Sequence, residues 1–203
     1  MVLSDREIQD ALKRKQITID PIPLFDDYNA SAVDLRLGKQ LFSLRSLEEL
    51  HAEAKEGTPA GVEPSIEIDL STLKIVDFLN RYANEIPLRN GHWILPPHHF
   101  ALGITHERVG LPRRSKIAGR VEGRSSFARL GLVIHMTAPT IHCGFDGHIV
   151  LEMYNFGPYP LRLTPGFKIC QLILERLGIR PNEELKSVHM HQTSVVSKAK
   201  SSR

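Results

Sequence analysis

The spacing of apolar positions starts at a helical period and then turns to strict alternation for most of the chain. Ser4-Asp5-Arg6-Glu7 has the form of a capping box, with Ser4 as cap and Glu7 reaching back. Ile8, Ala11 and Leu12 follow at helical spacing, which predicts a short amphipathic helix over about residues 5–14. Ile17 and Ile19 lead into Asp20-Pro21-Ile22-Pro23, where proline ends regular structure. Val33, Leu35 and Leu37 then alternate with Asp34 and Arg36, the pattern of a half-buried strand. Residues 45–64 break the rhythm: Ser46-Leu47-Glu48-Glu49 is a second helix start, and a charged run to Lys55 ends in Gly57-Thr58-Pro59-Ala60-Gly61. This stretch is predicted to be a surface insertion with at least one helical turn.

From residue 66 the pattern is β. Ile66–Leu70, Phe100–Thr105, Lys116–Val121 and Leu132–Ala138 alternate in whole or part, and His148–Asn155, Leu161–Leu163 and Lys168–Leu174 fit further strands. The breaks carry Pro or Gly, at Pro96-Pro97, Leu111-Pro112, Gly144, Gly147, Gly157-Pro158 and Pro165-Gly166. Many short strands with regular breaks favour a barrel or sandwich over a parallel α/β sheet. The last twenty or so residues, rich in Ser, Lys and Arg, read as a flexible tail.

Composition narrows the function classes only at the edges. The 203 residues suit one domain, at about 1–180, plus a tail at 181–203, and 41% hydrophobic with 24% charged residues is an ordinary globular balance. No run reaches the roughly 18–20 apolar residues of a membrane helix, and the first residues lack a signal-peptide pattern, so a cytoplasmic protein is expected. A net charge of +3 suits a polyanionic small ligand as well as a nucleic acid. No recognition helix or basic stripe with interleaved aromatics supports nucleic-acid binding. Cys143 and Cys170 lie in apolar sequence and read as buried free thiols. Among ten histidines, the pairs His98-His99, His142 with His148, and His189 with His191 lack a familiar zinc-ligand spacing.

Two segments carry candidate chemistry. Gly123-Arg124-Ser125-Ser126-Phe127-Ala128-Arg129 places a glycine, two hydroxyls and two guanidinium groups directly after a strand. The serines can cap a helical turn whose free N–H groups face an anion, and arginine grips phosphate oxygens with a fork of donors. A plain helix cap with two solvated arginines explains the same residues, and both readings are open at this point. In His148–Asn155, Glu152 shares a face with Val150 and Tyr154, opposite Leu151 and Met153. That carboxylate either faces solvent or lines a pocket, where desolvation would suit it to proton transfer near neutral pH.

Read together, these blocks resemble the dCTP deaminase family, the metal-independent relatives of trimeric dUTPases. Gly123–Arg129 continues into Leu130-Gly131-Leu132, with Leu111-Pro112 before it and Val150-Leu151-Glu152 after it. Ser4-Asp5-Arg6-Glu7-Ile8 and Ala32-Val33-Asp34-Leu35-Arg36-Leu37-Gly38 resemble the family's opening, so the likeness covers about residues 4–40 and 99–177 in order. The resemblance implies a mainly β chain, a distorted β-barrel of the dUTPase-like (β-clip) type, working as a homotrimer with active sites between subunits. It implies Mg²⁺ bound through the triphosphate of a dCTP substrate, and no zinc. By position, Arg124, Ser125 and Ser126 would hold phosphates with Phe127 and Ala128 beside them, and Ser125 would also lie near the base. Arg129 would help organise the site from a neighbouring subunit. The backbone at Thr137-Ala138 would place the attacking water, Ala138, His142, Val150 and Leu151 would be among the substrate-binding residues, and Glu152 would shuttle protons. Gln171 falls where some relatives bind nucleotide.

The zinc-dependent deaminases instead carry His-x-Glu followed by Pro-Cys-x-x-Cys. His51-Ala52-Glu53 repeats the first part, but no Pro-Cys-x-x-Cys follows it. Two departures from the family pattern bear on activity. His142 stands where the family usually has Asp, and in related dUTPases that Asp helps set up the water that attacks phosphate. Relatives also close the site with a C-terminal Tyr, Lys and Gln, for which this chain offers Lys186, His189, His191 and Gln192. The expected activity is therefore dCTP to dUTP. The alternatives are a bifunctional enzyme releasing dUMP and diphosphate, and a nucleotide-sensing regulator without turnover.

Overall fold

The computed structural model describes residues 1–54, 67–135, 137–182 and 193–195. In chain order the regular elements are α1 (Asp5–Lys13), β1 (Thr18–Asp20), β2 (Tyr28–Asn29), β3 (Ala32–Leu44), α2 (Leu47–Ala54), α3 (Ile75–Tyr82), β4 (Ala83–Glu85), β5 (Trp93–Leu95) and β6 (Phe100–Gly110). They continue with β7 (Ile117–Gly123), α4 (Ser125–Ala128), β8 (Leu132–Ile134), β9 (Thr140–Ile141), β10 (Asp146–Asn155), β11 (Leu161–Leu163) and β12 (Lys168–Arg176). The chain is mainly β, as its alternation predicts. Among the described residues, no helix is long and apolar enough to cross a membrane.

The principal sheet runs β8-β10-β6-β3-β12-β7-β9, with β1 added to β6 and both β2 and β4 added to β3. Its pairings are antiparallel, and the sheet curls so that β7 approaches β8, giving a half-barrel. The inward set of each strand fills the curl: Leu35, Leu37 and Leu41 of β3, Leu151 and Met153 of β10, and Leu172 and Leu174 of β12 are all fully buried. Each such side chain contributes about 1.5–3 kcal/mol relative to exposure, so period-2 patterning fixes which face turns inward. Helix α1 lies against this core through Ile8 and Ala11, and its capping box forms as the sequence predicts. Ser4 N–H donates to Glu7 Oε2 at 2.9 Å and Glu7 N–H donates to Ser4 Oγ at 3.4 Å.

Between β6 and β10 the register shifts between His148 and Val150. Thr105 fills the irregularity: its hydroxyl donates to the Glu107 carbonyl at 2.7 Å and accepts the Ile149 N–H at 2.9 Å. Beyond the shift, Val150 pairs with Ile104 and Glu152 with Leu102. This sets the outward face of β10 that carries Val150, Glu152 and Tyr154.

Several expectations need correction. The alternation at 66–70 predicts a strand, yet described residues 67–70 form none, because Asp69 takes the Ser71 N–H and hydroxyl at 2.9 and 2.7 Å in a local turn. Helix α3, which follows, has no counterpart in the sequence reading. The strand expected over Leu132–Ala138 ends at Ile134, because His135 adopts φ +53°. Asp34, expected on the polar face of a half-buried strand, is buried at 3% exposure. The insertion does begin with a helix, α2, whose Ser46 and Glu49 exchange capping hydrogen bonds of 2.9 and 3.1 Å. Gly57–Gly61, Lys186, His189, His191 and Gln192 lie outside the described residues. Within the expected flexible tail, Val195 is buried beside Leu102 and Ile104, and its N–H donates to Gln40 Oε1 at 3.3 Å.

Candidate active site

The loop leaving β7 forms a single helical turn, α4, as its serines suggest. The cap position is nevertheless Arg124, with extended backbone and no side-chain cap bond, so neither serine serves as the cap. Ser125 and Ser126 open the turn, where backbone N–H groups have no intrahelical acceptor. Both serines, Ala128 and Arg129 are exposed, whereas Phe127 turns inward to meet Phe167 at 4.9 Å between ring centroids. That anchor leaves the polar side chains of the turn outward. The Arg124 guanidinium lies 5.7 Å from the Phe127 ring centroid.

Arg124 is the best-tethered member of the loop. Its Nη1 donates to Asp34 Oδ2 at 3.0 Å. On the other carboxylate oxygen, Oδ1, Gln171 Nε2 donates at 3.2 Å and Asn29 Nδ2 at 3.1 Å. Gln171 faces Asp34 directly across the β3–β12 ladder and Glu122 across the β12–β7 ladder. The predicted residues Arg124 and Gln171 thus come together, although 47 positions apart by number, on a carboxylate that the sequence reading left on the surface.

Ion pairs extend from there. Lys168 Nζ lies 3.5 Å from Asp34 and 2.9 Å from Asp27, and Arg36 holds Asp27 at 2.6 Å and Glu107 at 3.2 Å. Burial alone would raise the Asp27 pKa, but hydrogen bonds from Lys168, Arg36 and the Leu24 backbone outweigh it and hold the carboxyl below its ordinary value. Hydrogen bonding to Asp27 raises the Arg36 pKa in return, against the opposing effect of burial.

Glu152 occupies a different place. Its side chain is 42% exposed and lines a cleft of about 390 Å³ with Phe100, Val133, Thr137, Met153, Tyr154 and Phe156. Among the described residues it is the only carboxylate lining that cleft. The Tyr154 and Phe156 rings stand 4.4 Å apart beside it. His135 also meets Glu152: its N–H donates to the Glu152 carbonyl at 2.9 Å, and its Nδ1 contacts Glu152 Oε2. The His135 ring is buried, and its Nε2 has no partner among the described residues. Sequence reasoning missed His135. Its local sequence carried no signal: it reaches Glu152 because β8 pairs Ile134 with Met153, the neighbour of Glu152.

The other predicted residues sort clearly between these two places. Thr137 lines the cleft and Ala138 is exposed just after it. Val150 shares the Glu152 face but packs toward Leu102 and Ile104, and Leu151 is fully buried in the core. His142 is exposed after β9 and does not line the cleft. No residue of Gly123–Arg129 lines the cleft, so the arginine loop and the Glu152 carboxylate lie apart within one chain. Cys143 and Cys170 are buried free thiols, as predicted, and burial raises the Cys170 pKa.

The profile of the dCTP deaminase-like family matches residues 2–177. A dCTP deaminase of Rhodospirillum rubrum is 39% identical over 178 residues, covering 87% of this chain and 83% of its own. A "dCTP deaminase, dUMP-forming" of Methanosphaera stadtmanae is 35% identical over 206 residues, covering 98% and 94%. Among solved structures, the 2′-deoxycytidine 5′-triphosphate deaminase of Agrobacterium tumefaciens superposes with a TM-score of 0.60 at 19% identity, which speaks to the fold. That match covers 85% of this chain and 47% of the Agrobacterium chain, so this chain spans about half its length. With the family profile spanning residues 2–177, and so the arginine loop and Glu152 alike, the chain belongs to the dCTP deaminase-like family, a family of enzymes.

Proposed function

We propose that the protein hydrolyses dCTP to dUTP and ammonia, with Glu152 moving the protons. The observation that carries this reading is the half-exposed Glu152 carboxylate in an otherwise apolar, aromatic cleft. Replacing the amino group of cytosine needs water at C4, a proton on N3, and a protonated leaving group. Glu152 takes a proton as water adds to C4 and delivers it to N3. A second proton passes through the same carboxyl group to the exocyclic nitrogen, the C4–N bond breaks, and ammonia leaves with the C4 carbonyl formed. The backbone at Thr137-Ala138 orients the water.

The triphosphate falls to Arg124, Ser125 and Ser126, with the open N–H groups of α4. Because the loop and the cleft are separate in one chain, the reading joins the cleft of one subunit to Ser125 and Arg129 of a neighbour in a homotrimer. Mg²⁺ would be held mainly by the triphosphate oxygens, whose charge it offsets. Among the described residues no group of three or more His, Cys, Asp or Glu converges as a metal cage, and the Asp34 oxygens already face four donors. A water-borne substrate of this kind suits a cytoplasmic enzyme.

A second reading adds cleavage of the triphosphate to give dUMP and diphosphate. It is favoured by Gln171 beside Arg124 and by the Methanosphaera relative's name, and opposed by the outward His142. Incubation with dCTP and Mg²⁺, resolved by chromatography beside Glu152→Gln, separates the cases. The expected product is dUTP, absent from the variant; dUMP would establish the second reading. Bound nucleotide with no product would instead leave a sensing protein.

A further inference from the structure

We propose that Asp34 is a positioning residue, a buried carboxylate that sets the fork of Arg124 and the amide of Gln171 for the triphosphate. This rests on the reading of Arg124 as a phosphate ligand. An acid at 3% exposure is costly unless its charge and its oxygens are satisfied, and the fold supplies every partner by side chain. Oδ2 takes Arg124 Nη1 at 3.0 Å with Lys168 Nζ at 3.5 Å, and Oδ1 takes Gln171 Nε2 at 3.2 Å and Asn29 Nδ2 at 3.1 Å. Each donor is thereby oriented. Arg124 spends one nitrogen on Asp34, which leaves the rest of its donor fork for an anion. Gln171 spends one of its two Nε2 protons on Asp34, which leaves the other for a phosphate oxygen.

The charge count makes the assignment sharp. Asp27, Asp34 and Glu107 are matched by Arg36, Lys168 and Arg124, a network of zero formal charge. An acid beside a polyanion site lowers the attraction for the ligand, so charge alone argues against its presence there. Neutralising Asp34 would leave one extra positive charge near the triphosphate. A residue that serves only charge balance therefore predicts tighter triphosphate binding in Asp34→Asn, whereas a residue that orients Arg124 predicts weaker binding. The two roles give opposite signs.

The test is calorimetric binding of dCTP and of inorganic triphosphate to the full chain, with thermal melting alongside. Asp34→Asn is expected to bind both about tenfold more weakly and to raise KM more than it lowers kcat. Combined with Arg124→Ala it should be no weaker than Arg124→Ala alone, because the effect passes through that arginine. Unchanged or tighter binding, or losses that multiply in the double variant, would overturn the proposal. A second measurement needs no Asp34 variant: the Arg124 guanidinium resonance, assigned by its loss in Arg124→Ala, should show hindered rotation in the ligand-free protein. Free rotation would overturn it. If triphosphate binds as expected and dCTP is not deaminated, only the reaction proposed for Glu152 fails. If the wild type binds neither ligand, the phosphate role of Arg124 fails and the proposal falls with it.

Discussion

The arginine loop and the Glu152 cleft are built in opposite ways. Asp34, behind the arginine loop, is 3% exposed and meets four donors from three other parts of the chain. Glu152, in the aromatic cleft, is 42% exposed and, among the described residues, pairs with the His135 side chain. A group that grips phosphate gains from being rigid before the ligand arrives, since ordering long side chains on binding costs affinity. A group that carries protons must change charge during the reaction, and a carboxylate locked among cations resists that change. On the proposed function, the contrast separates a preorganised anchor from a carboxyl group free to exchange protons.

Substitutions on the two sides should therefore fail differently. The largest effect is expected from Glu152→Gln, which keeps shape but cannot shuttle protons: kcat should fall by about 10³-fold or more, with melting temperature nearly unchanged. Retained turnover would remove Glu152 from the chemistry. Next comes the joint between the halves, where Gly131 has φ +93° and a Cβ there would lie 2.2 Å from the Gly157 nitrogen. Gly131→Ala should lower stability by about 2–4 kcal/mol in denaturant titration, because both the backbone conformation and the contact with the end of β10 are disfavoured. Arg124→Lys keeps the charge and loses the fork, so KM for dCTP should rise about 10-fold or more while kcat changes less.

The smallest effect concerns the network behind Asp34. The Asp27 carboxyl titrates below its ordinary value in the folded chain, so its stabilisation is complete above about pH 4 and is lost as pH falls through the folded pKa. Asp27→Asn should cost about 1–3 kcal/mol at pH 7, and its melting curve should converge with that of the wild type as pH falls through the folded pKa of Asp27. A gap that stays constant with pH would mean the loss is packing, and the charged network would not be what holds the anchor.

Most of what could be read ahead of the fold was periodic. The capping box of Ser4 and Glu7, the long alternation of β10 and the helical turn after Gly123 are local consequences of side-chain order, and each is present. Local order misled where a side chain competed with the backbone, as when Asp69 bound Ser71 within an alternating run. It also misled at His135, where a positive φ ends β8 and brings the ring onto Glu152. Nothing in the residues flanking His135 announces that conformation.

By itself, the sequence determined the β character of the chain and the inward face of most of its strands, because these depend on neighbours two to four positions away, and the family resemblance singled out Gly123–Arg129 and Glu152. The tertiary structure alone decided that Asp34 is buried and that Arg124 and Gln171 meet on it, 90 and 137 positions distant. It alone placed the arginine loop outside the Glu152 cleft. The physical reason is that burial of a charge is settled by where its partners arrive, and antiparallel pairing across β3, β12 and β7 brings them from remote parts of the chain.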